Sequence, residues 1–324
     1  MRAWVVERLT EAGEMKLLEL PEPTPGPGSY VVRVEAAGVN FSDTLMLRGQ
    51  YQRKPALPFT PGIELAGTIV AAGADTTLAP GQRVCSSVPT GGYGEFAVVS
   101  AKAARAIPDD VPSDAAVVLL GINYPTSYYA LHNRARLRAG ETVLVHAAAG
   151  GVGSAAVQIA LAAGCRVIAT AGTEAKRAIC LELGAERAID YTAEGWVDEV
   201  RQATDGNGVD VIYDPVGGAI GVQSLRCLAW QGRILVVGFA GGAISELPAN
   251  RLLLKDASAM GVLWGEVKIR SPAVAGAVVD AVLALYRAGK LDPLIGGRFA
   301  LDQAQEALAQ LSRRQTTGKI LLIP

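Results

Sequence analysis

The turn Ala148-Ala149-Gly150-Gly151-Val152-Gly153 constrains the fold more than any other segment, because it joins an apolar strand, Thr142–Val145, to an apolar helix. Small residues there let a backbone approach a pyrophosphate and let the helix pack on its strand. The free amide N–H groups and the positive end of the helix dipole face the anion. Alanine stands at 148, where the usual pattern has its first glycine. Short Val/Ile-rich runs follow at 166–170, 209–213 and 233–237, spaced by helix-like stretches such as 175–184 and 218–230. This alternation predicts a parallel sheet covered on both faces, the doubly wound (Rossmann) α/β nucleotide-binding domain.

A site for NAD places Asp or Glu at the end of the second strand, about 20 residues past the glycines, on the ribose 2′-hydroxyl. Here that strand runs into Ala171-Gly172-Thr173-Glu174-Ala175-Lys176-Arg177, and no acid closes it. Thr173 reads as an N-cap, and the helix dipole accounts for Glu174 in the first turn. Lys176 and Arg177 at the positive end of that helix are unfavourable unless an anion lies beside them, and a 2′-phosphate is such an anion. The plain alternative is a solvated charged face. NADP(H) is therefore the expected cofactor.

A length of 324 residues exceeds what one core usually organises, so two domains are expected. No apolar run is long enough to span a membrane, and the segment Met1-Arg2-Ala3-Trp4-Val5-Val6 lacks a signal peptide's layout, so the expected location is the cytoplasm. A net charge of −1 with no basic block favours neither nucleic acid nor an anionic membrane as partner. Cys85, Cys165, Cys180 and Cys227 are scattered without a C-x-x-C pair and read as reduced packing residues. His132 and His146 lie too far apart for metal spacing, and neither is assigned to chemistry.

Residues 1–122 read as short strands broken by glycine and proline, most densely at Pro21-Glu22-Pro23-Thr24-Pro25-Gly26-Pro27-Gly28. Past the nucleotide-binding segment, Ser271-Pro272 opens a helix with serine as N-cap and proline at the first position, running to about Gly289, and a second begins at Leu301.

The chain closely resembles the quinone oxidoreductase branch of the medium-chain dehydrogenase/reductase superfamily, the group that includes zeta-crystallin. The likeness spans nearly its whole length. It is carried by Ala37-Gly38-Val39-Asn40-Phe41-Ser42-Asp43, Pro61-Gly62-Ile63-Glu64, Gly91-Gly92-Tyr93-Gly94-Glu95, the 148–153 turn, Ala171-Gly172-Thr173, Val237-Gly238-Phe239 and Leu263-Trp264-Gly265. The resemblance implies a GroES-like β domain built from both chain ends, with the nucleotide-binding domain inserted and the active cleft between them. The expected division is 1–122, 123–265 for the nucleotide domain, and 266–324 for the return. A homodimer formed through the last strand of the nucleotide sheet, around 258–264, is likewise implied.

Zinc-dependent relatives place a cysteine ligand where Asn40 stands and a histidine ligand where Ile63 stands. Both are replaced, and no cluster of four cysteines marks a structural zinc lobe, so a metal-free enzyme is expected. Zinc is the group that stabilises an alkoxide in alcohol oxidation. A quinone, or an alkene conjugated to a carbonyl, accepts hydride into a delocalised oxyanion instead.

By matching position, Asn40, Asp43 and Tyr51 resemble the pocket around the nicotinamide and acceptor, with Tyr51 a hydroxyl donor; the plain alternatives are a loop-capping carboxylate for Asp43 and an amphipathic edge residue for Tyr51. Thr126 resembles the nicotinamide-side threonine and Tyr191 the residue at the adenosine phosphate. The glycine-rich turn sets Ala149, Gly150, Gly151, Val152 and Gly153 at the pyrophosphate, and the end of the second strand sets Gly172, Thr173, Lys176 and Arg177 toward the 2′-phosphate. Gly218, Val237, Gly238 and Phe239 fall along the sheet crest, and Trp264, Gly265 and Arg314 beside the nicotinamide. Leu45 stands where some relatives carry tyrosine, which implies a more apolar acceptor wall. Three functions follow: NADPH-dependent quinone reduction, which leads; reduction of enals or enones; and a non-catalytic NADPH-binding role like that of lens crystallins.

Overall fold

A computed structural model describes residues 1–324, which divide into two compact units. One comprises residues 1–122 and 295–324, the other 123–294.

In the first unit, β1 (Arg2–Val5) and β2 (Lys16–Glu19) form a two-stranded antiparallel ribbon. The main sheet is organised on β3 (Ser29–Val39), an eleven-residue strand with β4 (Glu64–Ala72) along one edge. β5 (Arg83–Ser87) and β7 (Arg105–Ala106) extend the sheet beyond β4. β6 (Phe96–Ser100) pairs with residues 29–33 of β3. The last strand of the chain, β15 (Lys319–Ile323), lies antiparallel to the other end of β3, with Ile320 opposite Val39 and Leu321 opposite Gly38; it also pairs with β14 (Ile295–Ala300). Their inward faces bury Tyr30, Val32, Val34, Leu65, Ile69, Val84 and Leu322 in one core. Two helices border it, α1 (Phe41–Leu47) and α11 (Ala304–Ser312), the second entered through a single 3-10 turn at Leu301–Gln303. A short α2 (Ser113–Ala116) leads into a π-type helical stretch, Val117–Gly121.

The second unit opens with α3 (Asn123–Tyr128), which continues as a second π-type stretch, Tyr129–Arg134. Six parallel strands follow: β8 (Thr142–Val145), β9 (Arg166–Thr170), β10 (Arg187–Ile189), β11 (Val209–Asp214), β12 (Leu228–Val236) and β13 (Ser258–Gly261). Their spatial order is β10-β9-β8-β11-β12-β13, so chain order reverses between β8 and β11. This is the doubly wound arrangement, whose ligands lie outside the strand ends at that reversal. Helices α4 (Gly151–Ala162), α5 (Glu174–Glu182), α6 (Trp196–Gln202), α7 (Gly218–Ser224) and α8 (Ala249–Leu253) connect successive strands. The β8 and β9 side chains are buried apart from Arg166, as continuous apolar strands covered on both faces require.

Three differences from the sequence reading have local causes. The helix expected over 218–230 ends at Ser224, and β12 begins at Leu228 rather than 233, pairing first with Val209 before a register shift. Gln231, at φ +56°, and Gly232 form the irregularity that hid those residues. The helix from Ser271 spans α10 (Pro272–Arg287), with proline in its first turn, but the Ser271 side chain makes no cap and α9 (Trp264–Arg270) runs directly into it. The return expected at 266 differs as well, because residues 266–294 pack within the second unit. Val278, Val279, Val282 and Leu283 of α10 are buried there. Gln158 also holds the Asp292 backbone from both sides, Nε2 donating to its carbonyl at 2.7 Å and Oε1 accepting its N–H at 2.7 Å.

Candidate functional site

The second unit carries the glycine-rich turn at the switch point of its sheet. The backbone leaves β8 through Ala147, whose φ of +48° is the strained position of the turn, and Gly150 caps α4 with an extended conformation. A Cβ on Gly153 would collide with the Ala147 carbonyl oxygen, so the first turn of α4 sits against the loop with no room for a side chain. Ala148 is wholly buried, which shows why alanine serves at that place: it packs inward and the left-handed geometry falls on its neighbour. The first N–H groups of this twelve-residue helix have no intrahelical acceptor, and helix starts of that kind favour anions. Ser127 Oγ donates to the Val152 carbonyl at 2.9 Å and so ties α3 to the same turn.

At the end of β9, Gly172 lies against Thr192 and the Tyr191 ring. Thr173 caps α5, its hydroxyl accepting the Lys176 N–H at 3.3 Å. Arg177 Nη1 donates to Asp190 Oδ2 at 2.6 Å, and this bond, after those from Thr192, helps hold the Asp190 carboxyl below its usual range. The anion argument from sequence therefore changes for Arg177, which has a counter-ion within the protein. His146, directly after β8, lies 2.8 Å from Thr170 Oγ1 and 2.7 Å from Ser224 Oγ, and burial lowers its pKa to about 4.

Two loops along the sheet crest are held by one residue, Asp214. Asp214 Oδ1 accepts the N–H groups of Val216 and Gly217, each at 2.9 Å, while its backbone carbonyl accepts that of Val237 at 2.9 Å. Gly217 and Gly218 both have positive φ, and a Cβ on Gly217 would meet the Phe239 ring at 2.6 Å. Gly218, Val237, Gly238 and Phe239 are thus brought to one place. Trp264 is buried with its ring centroid 5.9 Å from that of Tyr129, and its Nε1 has no partner. Thr126, one helical turn before Tyr129, is also buried with its hydroxyl unpaired. Around Gly265 the space is open.

The first unit holds Asn40, Asp43 and Tyr51. Asn40 caps α1, its N–H donating to Asp43 Oδ2 at 2.8 Å, and the same oxygen accepts the Tyr93 hydroxyl at 2.7 Å. Asp43 is fully buried and its Oδ1 has no partner. Burial, opposed by the Tyr93 and Asn40 hydrogen bonds, pushes its pKa up to about 7. The Asn40 carboxamide is fully engaged: Nδ2 donates to Glu64 Oε1 at 2.9 Å, and Oδ1 accepts from Lys319 Nζ at 2.7 Å. Lys319 also pairs directly with Glu64, both nearly inaccessible to solvent. Gly38 and Gly121 close on the Glu64 carboxylate from either side, where any Cβ would overlap it. Tyr51 is half-buried against the same core, its phenol pKa raised chiefly by burial. Arg314 lies just past α11 at φ +58°, where a helix terminates in the left-handed region. Asn40, Asp43 and Tyr51 are therefore in a different compact unit from Thr126 and Trp264.

Sequence reasoning gave no role to Glu64 or Tyr93 and missed Lys319. The signal was present: a lysine opening the apolar run Ile320-Leu321-Leu322-Ile323 and a glutamate inside Gly62-Ile63-Glu64-Leu65-Ala66 are charges in buried strands, and such charges need partners. No group of three or more His, Cys, Asp or Glu side chains is arranged to hold a metal, and the four cysteines are buried and form no disulfide.

Comparison with known proteins covers both units. Residues 26–109 match the alcohol dehydrogenase GroES-like domain and residues 151–280 the zinc-binding dehydrogenase family. Quinone oxidoreductase-like protein 2 of Rattus norvegicus is 40% identical over 97% of this chain and 90% of its own length. The quinone oxidoreductase of Homo sapiens is 34% identical over 98% of this chain and 96% of its own. The Thermus thermophilus quinone oxidoreductase, solved alone and in complex with NADPH, superposes with a TM-score of 0.83 at 34% identity, covering all of both chains. No helix is long and apolar enough to cross a membrane.

Proposed function

The chain belongs to the zinc-free quinone oxidoreductase branch of the medium-chain dehydrogenase/reductase superfamily, and from that premise we propose that it reduces a quinone, or a similarly electron-poor acceptor, with NADPH. The observation that carries the reading is the start of α4: Gly153 leaves no space for a Cβ, and the first N–H groups of the helix stand at the reversal of the sheet. That is a pyrophosphate cradle. Gly172 against Tyr191, and Lys176 in the first turn of α5 with no acid closing β9, suit a 2′-phosphate better than a bare ribose hydroxyl. Phe239 and Gly218 line the crest, and the unpaired Thr126 hydroxyl and Trp264 indole N–H offer hydrogen bonds to a nicotinamide.

Bound NADPH supplies the hydride; the chain's own residues bind it, orient the acceptor and handle one proton. The Tyr51 phenol, half-buried at the edge of the first unit's core, is the donor we assign to the reduced acceptor's oxygen, directly or through water. Asn40 serves as a fixed wall of the acceptor site, since both ends of its carboxamide are spoken for. Asp43 acts beneath it, holding the N-terminus of α1. Arg177 takes a supporting part, aligning α5 through Asp190. The exposed edge of β13 is the contact we propose for a homodimer acting in the cytoplasm.

The test compares kcat/KM with NADPH for simple benzoquinones and naphthoquinones against an enal and an enone. Higher quinone values are expected. A tenfold advantage for the enal or enone replaces this reading with an alkene reductase, and tight NADPH binding without turnover of any acceptor replaces it with a binding role.

A further inference from the structure

The polar side chains of α3 are more buried than their bonding explains. Asn123, its first residue, is only 3% exposed, yet its Oδ1 has no hydrogen-bond partner. One turn along, Thr126 is 7% exposed with its Oγ1 unpaired, and beyond it Tyr129 packs on Trp264, 4% exposed, whose Nε1 is the third unpaired atom. Buried polar groups are nearly always satisfied, so three on neighbouring turns of one helix and the ring beside it point to a ligand with matching polarity. Their chemistry is complementary: Asn123 Oδ1 accepts only, Trp264 Nε1 donates only, and the Thr126 hydroxyl does either. A primary carboxamide offers N–H donors and a carbonyl acceptor side by side and answers this set. Two further polar groups of α3 are taken, Ser127 being bonded to Val152 and Tyr213 and the Tyr124 hydroxyl to Gln158 and the Asp292 carbonyl.

We infer that Asn123 is a binding residue for the carboxamide of the nicotinamide, its Oδ1 accepting the amide N–H while Thr126 or Trp264 donates to the carbonyl. This rests on the NADPH reading above and adds to it a residue that fixes the ring's rotation, and hence which face of the ring is presented to the acceptor. The link from α3 to the α4 turn through Ser127 and Val152 fixes this helix against the cradle.

The experiment measures dissociation constants, not turnover. The ligands are NADPH, reduced 3-acetylpyridine adenine dinucleotide phosphate, which keeps the carbonyl but has no amide N–H, and 2′,5′-ADP, which has no nicotinamide. The wild-type protein is expected to hold NADPH at least tenfold more tightly than the acetylpyridine analogue. Asn123→Leu should bind these two alike, with 2′,5′-ADP affinity unchanged; Asn123→Asp, which keeps an acceptor oxygen, should restore most of the difference. Equal affinities of the wild-type protein for NADPH and its analogue overturn the inference without any variant. So does an Asn123→Leu protein that still discriminates tenfold. Failure of the wild-type protein to bind either NADPH or 2′,5′-ADP instead removes the cofactor reading itself, and the inference with it.

Discussion

Lys319, opening the last strand of the chain, donates through Nζ to the Oδ1 of Asn40, 2.7 Å away and 279 residues earlier in sequence. That bond fixes which end of the Asn40 carboxamide faces inward, and with Glu64 it closes a buried triangle of one cation, one anion and one amide. Removing one partner of a buried ion pair leaves an uncompensated charge and typically costs about 3–5 kcal/mol. Lys319→Met is expected to lower stability by that order, and Glu64→Gln added to it should recover part of the loss. Urea unfolding of the two single variants and the double variant measures the coupling. Additive losses would mean the pair does not interact.

Asp43 makes stability depend on pH in an unusual direction. Its folded pKa of about 7 lies above the ordinary carboxyl value of 3.8. Between those values the folded state holds more protons than the unfolded one, so this group lowers stability as pH rises from about 4 to 7 and has no slope outside that window. Asp43→Asn removes the slope. The difference in unfolding midpoint between variant and wild type should therefore shift in the variant's favour from pH 5 to pH 8, and parallel curves would contradict the assignment.

The two glycines Gly153 and Gly265 should respond oppositely to alanine. Gly153→Ala drives a Cβ into the Ala147 carbonyl, so either α4 shifts away from the turn or the turn opens; nucleotide affinity should fall by at least tenfold, with lower stability. Gly265 has open space around its added Cβ and lies in α9, where alanine is the better helix former by up to about 1 kcal/mol. Gly265→Ala should leave thermal stability unchanged or raised. Any loss of NADPH affinity there then reports proximity to the ligand, not unfolding.

Cofactor preference should depend on Lys176. A charge-assisted hydrogen bond is worth about 1.5–3 kcal/mol, so Lys176→Ala should reduce the preference for NADPH over NADH by roughly tenfold or more. Arg177→Ala should also disturb the loop after β10, because that guanidinium is bonded to Asp190. Equal wild-type dissociation constants for the two cofactors would remove the 2′-phosphate assignment altogether.

If Tyr51 delivers the proton, Tyr51→Phe should slow turnover with a quinone while leaving the NADPH dissociation constant unchanged. Water supplies the residual rate. A variant with full kcat would assign the proton to another donor.

What the sequence disclosed was local. Strands Thr142–Val145 and Arg166–Thr170 stand where their apolar runs predict, and Thr173 caps its helix, because periodicity and cap chemistry act over a few residues. The Arg177 ion pair was not legible for a related reason: Asp190 is only thirteen positions away, but on a loop after a three-residue strand, β10, too short to show periodicity. The start of β12 was hidden by the positive φ of Gln231, since no sequence pattern marks a non-glycine residue in that region. Lys319, Glu64 and Asn40 come from three segments: the pairing of β4 with β3 sets Glu64 beside Asn40, and only the pairing of β15 with β3 adds Lys319.

That pairing has a consequence for biosynthesis. A ribosome releases Asn40 and Glu64 long before it makes Lys319, and residues 123–294 can close their own six-stranded sheet in the interval. Until β15 arrives, the Glu64 carboxylate must stay in water, and the edge of β3 at residues 37–39 stays open. The inserted unit is therefore expected to mature first during translation, with the flanking one completed only after the final strand is made, leaving the nascent N-terminal segment as the natural client of a chaperone.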